Sequence, residues 1–204
     1  MRTNRMESFS DGVIAVAITL LVLGIRVPDP KARPHHSLIW ELGQQWPSYA
    51  AYVVSFVTIG IIWINHHAMI DRLQQSDHVI LILNLLLLMS IGVLPFATDL
   101  MATYLREPSG QSTAAAIYGG SLLLMSLAFS ILNRTILIRR AELLGVDLDL
   151  AARRAVLRRS VIGLVPYAIA TALAFVSPYV TLIISGAVAA YYAHPAASGI
   201  QHSA

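Results

Sequence analysis

The first hydrophobic segment is the feature that most limits how this chain can fold. It runs without charge or proline from Val13 to Leu23, and the ionisable residues Arg5 and Asp11 lie directly in front of it. Charged side chains are costly at membrane depth, so they usually face the protein interior or a water-filled path and mark a functional site. The segment therefore predicts an integral membrane protein whose first helix carries its function.

The composition is that of a membrane protein. Of 204 residues, 56% are hydrophobic and 12% are charged, whereas a soluble domain has about 25% charged residues. The absence of cysteine excludes disulfides, thiolate metal sites and cysteine nucleophiles. No Ser-His-Asp spacing, glycine-rich phosphate loop or pair of catalytic carboxylates is present, so we expect neither an enzyme nor a cofactor.

Hydropathy predicts the number of membrane spans. A spanning helix needs about 20 largely apolar residues. We predict one all-α transmembrane domain, residues 1–204, with six spans at about 9–25, 47–67, 78–97, 114–138, 161–176 and 179–192. The proline-rich and basic residues 28–36 form the first loop, because proline runs cannot continue a helix. The sixth segment is short for a full crossing, so five spans with a re-entrant or interfacial last segment are the alternative.

One extended stretch, residues 142–160, is rich in charge and predicts a segment outside the membrane. Asp149 is placed to start a helix there, and four arginines follow it within that helix. An arginine cluster can bind nucleic acid, but arginines at the end of a membrane helix are the common cytoplasmic anchors of the positive-inside rule. We therefore expect no nucleic-acid partner.

The basic residues predict the orientation. With a cytoplasmic N-terminus, ten arginines lie inside and four basic residues lie outside. The inner residues are Arg2, Arg5, Arg72, Arg134, Arg139, Arg140, Arg153, Arg154, Arg158 and Arg159, and the outer ones are Arg26, Lys31, Arg33 and Arg106. This bias predicts a multi-pass protein of the cell membrane with both termini in the cytoplasm.

The polar residues in front of the first segment need partners elsewhere. Arg5 and Asp11 are six positions apart, about 240° around a helix of 3.6 residues per turn, so they cannot pair within one helix. We predict a buried polar network that locks the first helix to its neighbours, with His66 as a neutral hydrogen-bond partner of Arg5, Ser10 or Asp11. The candidate members on other spans are Asn65, His66, His67, Asp71, His78 and Asn84.

Two other interpretations apply to these residues. Ser8-x-x-Asp11 has the form of a capping box at a helix start, which would explain the polar positions without any function. His67 and Asp71 are four apart on a helix end, but no third ligand is spaced to complete a metal site. We therefore expect no bound metal.

The first segment closely resembles the signature of a known family. Arg5-x-x-x-Phe9-Ser10-Asp11, followed by the apolar run from Gly12 to Leu23, is similar to the signature of the lysosomal potassium channel family (transmembrane protein 175) and its bacterial relatives. The second- and third-helix patterns of that family are matched by Trp63-x-Asn65-His66, Asn84-Leu85-Leu86 and Pro95-Phe96-x-Thr98. The resemblance covers the first three spans by motif and the last three by length and hydropathy.

The resemblance implies a six-helix subunit that assembles as a homotetramer, with the first helix of each subunit lining a central cation path. The family lacks the carbonyl filter of ordinary potassium channels and narrows its pore with apolar side chains from the first helix. Carried over by position, these are Val16, Leu20 and Leu23, with Thr19 as the hydroxyl at pore depth. Val16 is smaller than the isoleucine or leucine expected there, which implies a wider first ring.

The spacing of this stripe is physically sensible. Val16, Leu20 and Leu23 lie at i, i+4 and i+7 on one helix face, so four copies would form stacked apolar rings able to gate by dewetting. Ordinary helix packing is the alternative, because the opposite face, which holds Ile14 and Leu21, is equally apolar.

Two functions follow as hypotheses. The first is a passive, potassium-permeable cation channel, in which Arg5 and Asp11 are structural. Its partners would be potassium and other monovalent cations, the bilayer and other copies of the chain. The second is a proton- or cation-coupled transporter that uses Asp11 and His66 as a titrating relay. The sequence lacks the short, broken helix pairs that mark many transporters, which favours the channel.

Overall fold

The computed structural model describes residues 3–29 and 37–193. Within these ranges the chain is almost entirely helical, and the only extended pairing is an isolated antiparallel bridge between Leu73 and Leu144. Most of the predicted first loop, residues 30–36, lies outside the described residues, as do Arg2 and the residues after 193.

Eight α-helices follow one another along the described part of the chain. They are α1 (Thr3–Leu20), α2 (Leu38–Gln44), α3 (Trp46–Ile70), α4 (His78–Tyr104), α5 (Gln111–Arg134), α6 (Leu150–Ile162), α7 (Leu164–Leu173) and α8 (Pro178–Ala193). A 3₁₀ turn, Leu21–Gly24, extends α1, and a π-helical turn, Thr135–Arg139, extends α5. Among the residues described, five stretches are long and apolar enough to cross a membrane: Thr3–Gly24, Trp46–Ile70, His78–Tyr104, Gln111–Arg139 and Leu150–Leu173. The shorter α8 is also apolar.

Several helices begin before or end after the predicted spans. α1 has already begun at Thr3, six positions before the expected start at Phe9. α4 continues through Pro95 to Tyr104, which membrane helices tolerate because neighbouring groups satisfy the freed carbonyl. α6 fills the second half of the charged stretch, where the Asp149 side chain accepts a hydrogen bond from the Ala152 N–H as its N-cap.

Helix α4 forms the centre of the bundle and packs against α1, α3 and α5. Seven of its ten buried residues recur at alternating spacings of four and three, the pattern of one continuous seam along a helix. They are Ile80, Asn84, Leu87, Ile91, Leu94, Thr98 and Met101. Two of these are polar, and each is satisfied by a hydrogen bond to another helix or to its own backbone, as buried polar groups must be.

Thr98 belongs to a buried hydroxyl cluster that joins three helices. The Ser55 hydroxyl on α3 lies 2.8 Å from Thr98 Oγ1 on α4 and 3.1 Å from the Tyr118 hydroxyl on α5. Thr98 Oγ1 also donates to the Leu94 carbonyl at 2.7 Å. The cluster therefore fixes the register of α3, α4 and α5 at one depth.

Helices α5 and α7 approach each other closely at Gly119. A Cβ atom added there would lie 2.9 Å from Thr171 Oγ1 and 3.2 Å from Thr171 Cα, whereas one added at Gly120 would meet only Thr171 Cγ2, at 4.0 Å. The contacts at Gly119 are too short for ordinary packing, whereas the 4.0 Å contact at Gly120 is not. Gly119 therefore sets the spacing of the two helices.

We predict opposite effects for alanine at these two glycines. Alanine favours a helix over glycine by about 1 kcal/mol, whereas overpacking a tight contact costs about 1–3 kcal/mol. Gly119→Ala should therefore lower the thermal unfolding midpoint in detergent, and Gly120→Ala should raise it or leave it unchanged. Equal midpoints for the two variants would contradict the assigned close contact.

The connectors at one end of the bundle are joined to each other. We call this the arginine-rich end; α1 begins there, α3 and α5 end there, and Arg72, Arg140 and Arg159 lie there. The Gln74 N–H donates to the Leu143 carbonyl at 2.9 Å, and the Gly145 N–H donates to the Arg72 carbonyl at 2.8 Å.

Asp77 strengthens the same junction. Its carboxylate caps α4 by accepting from the Ile80 N–H at 2.8 Å, and it also accepts from the Arg140 guanidinium. The backbone hydrogen bond from Ile80, followed by the contact with Arg140, holds the pKa of Asp77 below its ordinary value of 3.8, against the opposing effect of partial burial. Asp77 is therefore an ionised cap at neutral pH.

We predict a pH-dependent contribution from Asp77. Asp77→Ala should lower the stability by about 1 kcal/mol through loss of the cap, whereas Asp77→Asn keeps the cap and loses only a partly exposed ion pair, worth about 0–1 kcal/mol. Because the pKa is lowered on folding, the stabilisation is complete above 3.8 and disappears as the pH falls below it. Unfolding midpoints of both variants and the wild type across that range check this, and a wild-type advantage that persists in strong acid would contradict it.

Candidate pore-lining helix

Helix α1 presents two apolar faces with different surroundings. One face is buried against the rest of the chain and carries Met6, Ser10, Ile14, Ala17 and Leu21. Ile14 is only 1% exposed and Leu21 only 2%. α1 and its 3₁₀ turn pack on α3 and α4, which cover this face. The buried face is the one that the sequence could not distinguish from the candidate pore stripe.

The other face carries the candidate pore residues and lies open. Val16 is 57% exposed, Leu20 44% and Leu23 70%. The 3₁₀ turn keeps the last two in line, because side chains three positions apart eclipse each other in that geometry. The structure therefore brings Val16, Leu20 and Leu23 into one apolar stripe that no other part of the described chain covers.

Thr19 lies beside this stripe and is exposed. Its hydroxyl donates to the Val16 carbonyl at 2.8 Å, so its hydrogen is directed at the backbone. The oxygen lone pairs are left to accept a hydrogen bond or to contact a cation.

The N-terminal part of α1 continues the exposed face. Because the helix begins at or before Thr3, Ser8 lies well inside it and its hydroxyl donates to the Asn4 carbonyl at 2.9 Å. The capping-box interpretation is therefore wrong. Phe9 is 53% exposed, and Arg5 is exposed with no hydrogen bond or ion pair to any residue in 3–29 or 37–193.

A buried hydrogen-bonded chain joins α1, α4 and α3. The Asn84 Nδ2 donates to Ser10 Oγ at 2.9 Å, and Asn84 Oδ1 lies 2.8 Å from His66 Nε2. Ser10 Oγ in turn donates to the Met6 carbonyl at 2.8 Å. His66 therefore contacts Asn84 directly, and Ser10 lies on the other side of Asn84. We expected a direct hydrogen bond from His66 to Arg5, Ser10 or Asp11, and the described residues form none. The reason is that Asn84 lies between the two helices on the buried seam of α4.

Asp11 and Asn65 have separate partners. Asp11 Oδ1 accepts from the Trp63 indole N–H at 2.9 Å, which ties α1 to α3 near the exposed edge. The Asn65 amide donates to the Ile61 carbonyl of its own helix at 2.8 Å. Asp11 therefore finds its partner on another span, whereas Asn65 makes no hydrogen bond to α1 within the described residues.

The structure brings a third ionisable group to His67. Glu7 Oε1 lies 3.0 Å from His67 Nδ1, and Asp71 Oδ2 lies 3.5 Å from His67 Nε2. The expectation that no third ligand approaches was wrong, because α1 extends far enough to carry Glu7 across to α3. The two carboxylates approach opposite nitrogens of the imidazole ring, so the ring lies between them as a hydrogen-bonding group. This cluster by itself does not indicate a metal site.

The sequence is similar to that of known proteins. A family model described as the endosomal/lysosomal potassium channel TMEM175 matches residues 5–95. A protein of Streptomyces collinus named as a potassium channel is 45% identical over 190 residues, which cover 93% of this chain and 91% of that protein. The human endosomal/lysosomal proton channel TMEM175 is 33% identical over 179 residues, covering 85% of this chain and 35% of the human protein.

The fold is also similar to solved structures. The crystal structure of a lysosomal potassium-selective channel TMEM175 homolog from Chamaesiphon minutus aligns with a TM-score of 0.83 at 36% identity, covering 94% of this chain and 96% of that one. A variant of the potassium channel MtTMEM175, crystallised with a nanobody fusion protein, aligns with a TM-score of 0.62 at 20% identity and supports the fold alone. That alignment covers 92% of this chain and 88% of the other.

Proposed function

This chain belongs to the TMEM175 family of ion channels, and on that premise we propose that it is a potassium-permeable cation channel gated by apolar rings on α1. The family relationship makes it an all-helical, multi-pass membrane protein of a cation-channel family and not an enzyme. The preference for potassium and the construction of the pore are the proposal.

One observation carries the proposal, namely the uncovered stripe on α1. A helix that packs on its neighbours by one apolar face normally exposes a polar face to water or an apolar face to lipid. Here the exposed face combines the apolar Val16, Leu20 and Leu23 with the hydroxyl of Thr19. Apolar rings that dewet when narrow, with a hydroxyl to replace part of the hydration shell, are what a gated cation path needs.

We propose that four copies of the chain cover this face around a central axis. The exposed stripe, continued by Phe9 and Arg5 toward the arginine-rich end, would then line the path or contact the adjacent subunit. Arg5 has no partner in the described part of one chain, which supports a partner in another subunit. Membrane helices place charged groups against protein or water, not lipid.

We further propose that α8 is a sixth full span. Its 16 residues reach about 24 Å at 1.5 Å per residue. At its start Tyr179 stacks on Trp46 with ring centroids 6.4 Å apart, and near its end the Tyr192 hydroxyl contacts the Arg159 carbonyl at 3.5 Å. Because α3 begins at Trp46 and ends at the arginine-rich end, these two contacts support a course of α8 beside α3 toward that end.

The distribution of basic residues supports an orientation with both termini in the cytoplasm of the cell membrane. The arginine-rich end would then be the cytoplasmic end. The second function, a coupled transporter with Asp11 and His66 as a relay, is less well supported. Asp11 bonds to an indole N–H and His66 to an amide, and neither group passes a proton onward at neutral pH.

The experiment that tests the proposal is recording from the purified protein in planar bilayers under opposed potassium and sodium gradients. We expect discrete openings whose reversal potential lies toward the potassium equilibrium potential. Silence in the bilayer, together with proton-coupled uptake by liposomes that hold the same preparation, would contradict the channel and favour the transporter. Uptake that saturates without unitary currents would do the same.

A further inference from the structure

A cleft lies between α3, α5, α6, α7 and α8, away from the candidate pore helix. Its volume is about 190 Å³. It reaches from Thr58 and Tyr167 in the middle of the bundle to Arg72 and Arg159 at the arginine-rich end. From Thr58 to Met69 the wall extends about 16 Å along α3 at 1.5 Å per residue, and Arg72 lies just beyond the end of that helix. The cleft is therefore long and narrow and runs along the bundle.

The two ends of the cleft differ in chemistry. Arg72 and Arg159 line the cleft at the arginine-rich end, and neither forms an ion pair with any carboxylate of the described residues. Deeper in, the walls are largely apolar, with Ile62, Phe129 and Val188 among them. A cationic mouth above an apolar channel fits an amphiphile with an anionic head.

A buried polar atom lies in the same wall. Asn133 is only 2% exposed and lines the cleft. Its Nδ2 donates to the Ser160 hydroxyl at 2.9 Å, whereas its Oδ1 has no hydrogen-bond partner among the described residues. A buried carbonyl oxygen left unpaired costs about 1–3 kcal/mol, so this oxygen is free to accept a hydrogen bond from a ligand that enters the cleft.

We propose that this cleft binds one anionic phospholipid of the leaflet that meets the arginine-rich end. Its phosphate would lie between Arg72 and Arg159, since a guanidinium group can donate two parallel hydrogen bonds to the oxygens of one phosphate. A headgroup or glycerol hydroxyl would donate to Asn133 Oδ1, and part of one acyl chain would enter the apolar depth. Basic pockets between membrane helices take lipid headgroups in this way. The site is separate from ion conduction.

The length of the cleft favours a lipid over a free phosphate compound. A soluble phosphate ester would fill only the mouth and leave the apolar wall without an occupant. An acyl chain buries that wall, and each CH₂ that it removes from water contributes about 0.8 kcal/mol. The chain length of the ligand should therefore matter as well as its charge.

Native mass spectrometry of the full chain in detergent, with added phosphatidylglycerol or phosphatidylcholine of equal chain length, tests the proposal. We expect phosphatidylglycerol to be retained about ten-fold better, and Arg72→Gln with Arg159→Gln to remove that preference. The matched control is Arg154→Gln with Arg158→Gln. It removes the same charge from α6, at residues that do not line the cleft, and should keep the preference.

Several results would overturn the proposal. An equal loss of the phosphatidylglycerol preference in both double variants would indicate general electrostatic attraction of the lipid to the protein surface. An unchanged preference in the Arg72→Gln, Arg159→Gln variant would show that these two arginines do not bind the phosphate. Competition by glycerol phosphate as strong as by the lipid would assign the site to a free phosphate compound. If the arginine variant does not fold, Val156→Phe narrows the cleft with both charges kept; it should reduce retention of long-chain phosphatidylglycerol, and unreduced retention would overturn the site.

Discussion

Replacing Leu23 with alanine should raise the unitary cation conductance of the channel. Leu23 is the most exposed residue of the α1 stripe at 70%, and in the proposed tetramer four copies form one apolar ring. Truncating all four widens the ring and makes it easier to wet. A barrier lowered by about 0.5–1 kcal/mol would increase the conductance about two- to five-fold, because 1.4 kcal/mol corresponds to a factor of about ten.

The matched control for this prediction is Leu124→Ala. Leu124 is also an exposed leucine, at 53%, but it lies on α5, away from α1. Both variants should fold with unchanged thermal midpoints, since neither removes a buried contact. Single-channel recordings that give the same conductance for Leu23→Ala, Leu124→Ala and the wild type would contradict the assignment of Leu23 to the constriction.

Replacing Asn84 with alanine should destabilise the protein more than any other polar change on the buried seam of α4. The substitution leaves His66 Nε2 without a partner and removes the donor to Ser10 Oγ, so α1 loses its buried tie to α3 and α4. A buried polar group without a partner costs about 1–3 kcal/mol, although interhelical hydrogen bonds in membranes often contribute about 0.6 kcal/mol. We expect a loss of about 1–3 kcal/mol.

Asn65→Ala provides the comparison. The Asn65 amide bonds only to the Ile61 carbonyl of its own helix among the described residues, so its removal should lower the unfolding midpoint much less. The measurement is thermal unfolding in detergent, together with size-exclusion chromatography to follow assembly. Equal midpoints for the two alanine variants would show that the Ser10, Asn84 and His66 chain does not hold α1 in place.

The class of the protein follows from its sequence because hydropathy and length determine whether a helix can cross a membrane. The sequence does not determine which face of α1 is buried. Val16, Leu20 and Leu23 have the same period as Ile14, Ala17 and Leu21, and only contact with α3 and α4 distinguishes the two faces. The family resemblance selected the face that the structure leaves exposed, and its role in a pore remains a prediction.

Other features depend on contacts that are distant in the sequence. The hydroxyl cluster of Ser55, Thr98 and Tyr118 joins residues 43 and 63 positions apart, and no local pattern indicates such a pairing. The approach of Glu7 to His67 depends on α1 beginning at Thr3. Hydropathy predicts a start at Phe9, because the polar residues before it give no membrane signal. Polar residues at a helical spacing, such as Asn84 and Thr98 on the apolar seam of α4, were the available signal.

Cysteine accessibility is the most direct measurement of whether the exposed stripe of α1 faces an aqueous ion path. The chain has no cysteine of its own, so Leu23→Cys and Leu124→Cys each introduce a single thiol. Bilayer currents would be recorded while a membrane-impermeant cationic methanethiosulfonate reagent is applied, with the modification checked by mass spectrometry. We expect rapid block of the Leu23→Cys currents and no change in the Leu124→Cys currents. Full modification of Leu23→Cys without loss of current, or equal block of the two variants, would contradict it.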